Sequence, residues 1–433
     1  MAAPIPPVVL QENSRKRFGE GGWRESEELT SSSAVAVSEE VQSEVVATPA
    51  FLSSDAAVTS VRGPIRRAFA WLGWIVRHTF ELLSLVTLLA VMTAIPVIQL
   101  ISFGYLLNVA GRLASGRKLF EALQWRAAAG KIGLALVAIL LLSVPIRLLT
   151  HWATVAEVIA PGTQKAESLR VGAVLLTLAV MAHLSWAWAR GGRLRHYLWP
   201  SPRLWFASVW RPSTWLAAAD RLIAMVRSLE IPRLFWLGLR GAVGTLIWLS
   251  PTIAIIAVTR NGQTGIAGLV GGIAFICLGV VLLYLPMLQA NFAAENRLRA
   301  MFALRKIRGD FRRAPWAWLG AMFLTLVLLP IPLYLLKIEP PPSELMWLPT
   351  WFFIVLMLPA RVASGLALRR ARSKPEPVGV WAGFSRWTVR LLMPAVVGVY
   401  LLFVYLSQYV SWDGLQTWVQ QHAVLVPVPF VGS

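Results

Sequence analysis

Apolar positions along this chain fall into long unbroken blocks, where a half-buried element would show an alternating or a 3.6-residue pattern. Blocks at 132–149, 171–189, 241–258, 266–288, 316–336, 345–360 and 389–408 approach the ~20 apolar residues that a helix needs to cross a hydrocarbon core. Backbone polar groups find no water in that layer, so such a block predicts an α-helix. The block at 82–107 is longer and carries Pro96 and Gln99 near its middle. It reads either as one span or as two arms folded at Pro96.

The basic residues decide between the two. Lys and Arg number five in 108–131, nine in 190–240, seven in 291–315 and seven in 361–390. The alternate connections hold only Lys165 and Arg170, then Arg260, then Lys337. Basic loops stay in the cytoplasm. The stretch ahead of the first block is also basic (Arg62, Arg66, Arg67 and Arg77), so both ends of that block belong on one side. A hairpin meets this demand, with a first arm over 71–94, a turn near Pro96 and a return through Asn108. The expected architecture is an all-α polytopic helical membrane bundle of about nine transmembrane helices. It lies in the cell inner (plasma) membrane, with a cytoplasmic N-terminus and an extracytoplasmic C-terminus.

A parallel internal repeat fits the same plan. Arg66-Arg67-Ala68-Phe69-Ala70-Trp71-Leu72-Gly73 resembles Arg312-Arg313-Ala314-Pro315-Trp316-Ala317-Trp318-Leu319-Gly320, and Arg112-Leu113-Ala114-Ser115-Gly116 resembles Arg361-Val362-Ala363-Ser364-Gly365. Each copy holds two apolar arms, an Arg-x-Ala-Ser-Gly exit, a basic stretch with a tryptophan (Trp125, Trp387) and one more span. Trp71, Trp125, Trp236, Trp318 and Trp387 each precede a span beside basic residues, where half-buried indoles suit headgroup depth. Gly265, Gly268, Gly271 and Gly272 form a small-residue stretch expected to bring helices close.

Composition supports the membrane reading. Hydrophobic residues make up 57% of the 433 and charged residues 14%, against roughly 25% charged in soluble chains. The net charge is +20, and nine of the 21 acids lie in the first sixty residues. Because the bases sit in short loops between apolar blocks, they predict anionic membrane lipids as partners and no nucleic acid. A membrane or cytoplasmic protein partner is the other ligand that such a face suits. The chain divides into a disordered acidic cytoplasmic tail (1–60) without a signal-peptide pattern, a first membrane part (61–189) and a basic Trp-rich cytoplasmic loop (190–240). A central hairpin with a basic extension (241–311), the second repeat (312–410) and an extracytoplasmic tail (411–433) follow.

Two groups of residues are candidates for chemistry. In 190–240, apolar Trp215, Leu222, Val226 and Leu229 recur at helical spacing, which predicts a helix lying in the interface plane. Arg190, Arg193, Arg195, Arg221 and Arg227 would then meet lipid headgroups. Gln99, Asn108, His183, Gln289, Asn291 and Arg361 would line a polar seam between kinked helices, and Pro96-x-x-Gln99 and Pro286-x-x-Gln289 share a pattern. No Asp or Glu is expected well inside a span, which disfavours an ion-coupled carrier. Five scattered histidines, none near one of the four aspartates in sequence, and the single Cys277 offer no catalytic set and no metal motif. Neither an enzyme nor a cofactor is expected. The leading reading is a non-catalytic membrane scaffold or lipid-interacting subunit; the alternative is a permease or exporter subunit that moves a small solute or lipid through the seam.

The stretch Phe103-Gly104-Tyr105-Leu106-Leu107, continuing to Gly111-Arg112 and then to Leu119 and Trp125, resembles the opening of an uncharacterised bacterial multi-pass membrane family, known as a domain of unknown function. There too an apolar hairpin ends in Gly-Tyr-Leu and leads to an amphipathic cytoplasmic piece. The resemblance implies a bacterial inner-membrane bundle and carries no site residues across.

Overall fold

The computed structural model describes residues 64–259, 265–328, 330 and 347–407; the tails at 1–60 and 411–433 and the second half of the 316–336 block lie outside them. Every element among the described residues is helical. In chain order these are α1 (Pro64–Ala94), α2 (Gln99–Ala114), α3 (Leu119–Ala122), α4 (Arg126–Ile159), α5 (Gln164–Ala189), α6 (Leu194–Leu198), α7 (Pro202–Ser208) and α8 (Pro212–Ser228). Then come α9 (Ile231–Thr259), α10 (Gly265–Glu295), a 3-10 turn (Leu298–Phe302), α11 (Leu304–Arg313), α12 (Pro315–Phe323, continued by a π turn), α13 (Trp347–Arg372) and α14 (Val380–Ser407). Among the described residues, six segments are long and apolar enough to cross a membrane: Arg67–Ala94, Arg126–Ile159, Gln164–Ala189, Gly268–Glu295, Leu348–Arg372 and Val380–Phe403. This is a multi-pass helical membrane protein.

The 82–107 block is a hairpin. Pro96 has no N–H with which to continue the α1 ladder. At the turn the Ile98 N–H donates to the Pro96 carbonyl (2.8 Å) and the Gln99 N–H to that of Ile95 (3.0 Å). Val97 adopts a φ of 69°, unusual for a β-branched residue. The arms are tied just below the turn, where Thr93 Oγ1 (2.7 Å) and Ser102 Oγ (3.1 Å) both donate to the Leu89 carbonyl.

The return arm α2 is the centre of the bundle. Twelve of its 16 residues are buried, and α1, α9, α10 and α13 pack around it. In an apolar solvent, close backbone approach takes over the work that burial does in water. At the crossing of α2 with α9, a Cβ on Gly104 would stand 1.9 Å from the Leu234 carbonyl oxygen, and one on Gly238 would stand 1.9 Å from that of Leu100. Glycine is the residue that permits this contact.

Helices α2 and α13 run parallel, because their partners advance together. The Arg361 guanidinium lies 5.6 Å from the Phe103 ring centroid, a Cβ on Gly365 would sit 2.6 Å from the Ala110 carbonyl oxygen, and Arg369 Nη1 donates to the Arg117 carbonyl (3.1 Å). In the first copy α4 also runs parallel to α1, since Gly130 abuts Glu81 while Gly133 abuts Ser84. The second copy places α14 beside α12 in the same manner, with Arg386 Nε donating to the Arg312 carbonyl (3.3 Å) at the start of the pair.

Further contacts gather the basic connections at one end of the bundle. Arg240 reaches the Asn296 side chain (2.7 Å), Trp125 Nε1 donates to the Leu229 carbonyl (2.9 Å), and Arg372 reaches Asp310 (3.4 Å). Two expectations are corrected here. Trp125 and Trp318 are each 1% exposed and pack against Tyr105 and Phe311, whereas Trp71, Trp236 and Trp387 are exposed as a headgroup belt requires. Gly265, Gly268 and Gly272 face open space; close approaches occur instead at other glycines, Gly104, Gly238 and Gly365 among them.

Candidate functional site

The 190–240 segment folds as a corner of short helices. Gly191 (φ 105°) and Gly192 (φ 60°) end α5, and Arg190 binds the corner together. Its guanidinium donates to Ser201 Oγ (2.9 Å), the His196 carbonyl (2.7 Å) and the Trp199 carbonyl (2.8 Å), and it lies 5.6 Å from the Trp186 ring centroid. Burial, then the charge of Arg195, lowers its affinity for a proton. The donors predicted for a headgroup are thus spent largely on protein carbonyls. His183 belongs to the same corner, with Nε2 donating to the Tyr197 carbonyl (2.8 Å). His196 is buried and faces Arg193 and Arg195, whose N–H groups each approach its ring at 3.4 Å. Burial first, then Arg190, Arg195 and Arg193, holds its pKa below the ordinary histidine value.

The other four arginines are exposed. Arg193 and Arg195 stand on or beside α6, while Arg221 and Arg227 stand on α8. Helix α8 has no buried residue, and Trp215, Leu216, Leu222, Ile223 and Val226 expose one broad apolar arc along it. Two prolines at helix starts, Pro202 and Pro212, set the break between α7 and α8. An amphipathic helix with an uncovered apolar face and flanking arginines suits the plane of a membrane interface. Between α4, α5 and α8 lies a cavity of about 410 Å³, lined among others by Gln124, Lys131, Trp188, Gly192 and Arg221.

The seam residues separate into groups. Gln289 and Arg361 meet in the bundle core: Arg361 donates to the Gln289 side-chain oxygen, and Gln289 Nε2 donates to Thr245 Oγ1 (2.7 Å). All three are buried, so α9, α10 and α13 are cross-linked by polar groups. Asn291 lies nearer the basic end, donating to the Ala300 carbonyl (2.9 Å) and accepting from Arg372. Asn108, on α2, is 3% exposed, and its amide nitrogen makes no hydrogen bond. Gln99 begins α2 beside the hairpin turn. Pro96 stands in a turn and Pro286 inside α10, so the shared Pro-x-x-Gln spelling covers two environments. Gln99, Asn108, Gln289, Asn291 and Arg361 do not line the cavity between α4, α5 and α8.

An acid lies well inside one of the long apolar segments, contrary to expectation. Glu81 of α1 is 6% exposed and pairs with Arg77 (2.9 Å) and Arg126 (2.8 Å). A Cβ on Gly130 would come within 2.9 Å of Glu81 Cγ, so glycine admits the carboxylate between α1 and α4. The i, i+4 spacing of Arg77 and Glu81 was the available signal; its third member, Arg126, is remote in sequence.

Among the described residues, no group of three His, Cys, Asp or Glu side chains is placed to hold a metal. Compared with known proteins, the chain matches no family model, no curated protein and no solved structure.

Proposed function

We propose that this protein is a membrane-embedded scaffold or lipid-interacting subunit whose basic end meets anionic headgroups or a protein partner. The observation that carries this reading is the corner at 190–240, where α8 leaves its apolar arc uncovered and holds Arg221 and Arg227 beside it. Each base near an anionic surface contributes roughly 1 kcal/mol, enough in combination to select lipid. The proposed topology has nine crossings, adding α2, α9 and the block that begins with α12 to the six long apolar spans. The basic end faces the cytoplasm of an inner membrane, as positive loops do.

The test uses the full-length protein extracted into polymer nanodiscs from mixed phosphatidylcholine and phosphatidylglycerol membranes. Phosphatidylglycerol should be enriched around the wild type, and neutralising Arg193, Arg195, Arg221 and Arg227 to glutamine should abolish the enrichment. Equal lipid composition in the two would overturn the reading. Topology is checked with Cys277→Ala and single cysteines at Ser115, Ser168 and Ser373, all exposed. In intact cells an impermeant thiol reagent should label only the one at position 168.

A second reading, a permease subunit, draws on the buried Arg361–Gln289–Thr245 network, since an intramembrane ionisable group often marks a pathway. It predicts that Gln289→Leu abolishes transport of a solute while the four arginine substitutions at α6 and α8 leave it intact.

A further inference from the structure

We infer that the space enclosed by α10, α11, α12 and α14 is a binding site for one anionic phospholipid. Its phosphate would be held by Arg308, Arg312 and Arg390, and the first part of its acyl chains would lie on the floor beneath. This rests on the reading of a lipid-interacting membrane protein, but on none of the residues of the 190–240 corner.

The cavity has a volume of about 370 Å³, within the roughly 300–1,000 Å³ of ordinary ligand sites. The three arginines stand among its walls, and no Asp or Glu does. Among the described residues none of the three forms an ion pair. The nearest acid in sequence, Asp310, is engaged elsewhere, by Arg372 (3.4 Å) and Arg313 (3.9 Å). With a helical turn of 3.6 residues, positions 308 and 312 fall away from 310, so α11 sorts its acid from these two cations.

Two of the three guanidinium groups are held in place without being neutralised, and that of Arg312 is exposed beside them. Arg308 lies 5.6 Å from the Tyr284 ring centroid, and Arg390 lies 6.0 Å from that of Phe311 and 5.8 Å from that of Trp387. An aromatic face restrains a guanidinium while leaving its edge N–H donors available. Those donors are the ones that bind a phosphate oxygen in pairs. Beneath them Leu283, Met393 and Pro394 form an apolar floor, and these residues belong to two of the long apolar segments, Gly268–Glu295 and Val380–Phe403. A cationic rim over a floor within the apolar layer matches a molecule that is anionic at one end and hydrocarbon at the other. A free phosphate would use the rim alone.

The experiment is native mass spectrometry of the full chain in detergent, titrated with phosphatidylglycerol, phosphatidylcholine or inorganic phosphate. Wild type should retain one phosphatidylglycerol more tightly than any further copy, and phosphatidylcholine at least about tenfold more weakly, a difference that one charge-assisted bond can supply. The triple variant R308Q/R312Q/R390Q should lose that adduct, whereas R193Q/R195Q/R221Q/R227Q should keep it. The single variant R390K retains charge and folds on the same packing; weaker binding in it, at an unchanged Tm, supports the paired N–H geometry. Retention of the tight lipid by a folded triple variant would overturn the site. So would an inorganic phosphate adduct with the same arginine dependence and no preference for lipid, which would make the ligand a soluble anion. Failure of the R193Q/R195Q/R221Q/R227Q variant to change the nanodisc lipid composition would defeat the general reading and leave this adduct standing, so the two outcomes are separable.

Discussion

The two stretches that share the Arg-x-Ala-Ser-Gly spelling, read in the sequence as copies of a repeat, use it differently. In the first, Gly116 of the Arg-x-Ala-Ser-Gly exit follows the end of α2 with a φ of 94°. In the second, α13 runs through the motif to Arg372, and Gly365 lies flush against the backbone of α2. The arginine of the motif diverges likewise: Arg112 reaches a nearby side chain, Gln124 (2.5 Å), whereas Arg361 is 1% exposed and bonded to Gln289 in the core. At the joint between the outer helices, the first copy buries Glu81 against Arg126, while the second leaves Arg308, Arg312 and Arg390 without an acid. The first copy therefore closes its joint, and the second keeps a cationic opening. A repeated sequence motif thus specifies a position in the topology, and the neighbours specify what the residue does there.

Three substitutions test this contrast, from the largest expected effect to the smallest. Gly365→Ala forces a methyl group to within 2.6 Å of a carbonyl oxygen, and should destabilise by about 3 kcal/mol, the upper range for overpacking; thermal unfolding in detergent would show it as a large fall in Tm. Glu81→Gln strands Arg126, which is only 22% exposed, and should cost about 2 kcal/mol after allowance for its residual solvation. An unchanged Tm would mean that the α1–α4 joint does not depend on the pair. Gly116→Ala, the counterpart of the first change, places a side chain in a left-handed turn facing open space and should cost only about 1 kcal/mol. Equal losses from the two glycine variants would erase the distinction drawn between the copies.

The smallest effect concerns the corner between the copies. The folded pKa of His196 lies below its unfolded value, so the folded state is favoured above the ordinary histidine range. As the pH falls through that range, the unfolded chain takes up a proton before the folded one does, and the corner loosens. Protection of the amides of residues 190–200 against hydrogen exchange, taken relative to their intrinsic rates, should fall between neutral and mildly acidic pH, and His196→Gln should flatten that response.

Much of the plan was legible in the sequence. The hairpin at Pro96 followed from the basic residues at both its ends, because charge fixes the side of a loop whatever the packing. What escaped notice depended on neighbours remote in sequence. Arg361 reads both as a seam residue and as the first residue of a basic loop, and which of its neighbours receive it, Gln289 and Phe103, is not legible in the sequence. Trp125 and Trp318 read as belt residues because local composition does not reveal that Tyr105 or Phe311 will cover them. The arginine-lined cavity was equally invisible, since Arg308 and Arg390 belong to different helices.

The burial of α2 also bears on how the chain is assembled. A ribosome delivers α2 early, but the surfaces that cover it arrive with α9, α10 and finally α13, whose Arg369 bonds a carbonyl 252 residues earlier. At 16 residues, the helix spans about 24 Å, short of the ~30 Å hydrocarbon core. Until its partners emerge it must shelter beside α1 or within the insertion machinery. A chain truncated before α13 should accordingly be recognised as unfinished and degraded, even though its hydrophobic segments have already entered the membrane.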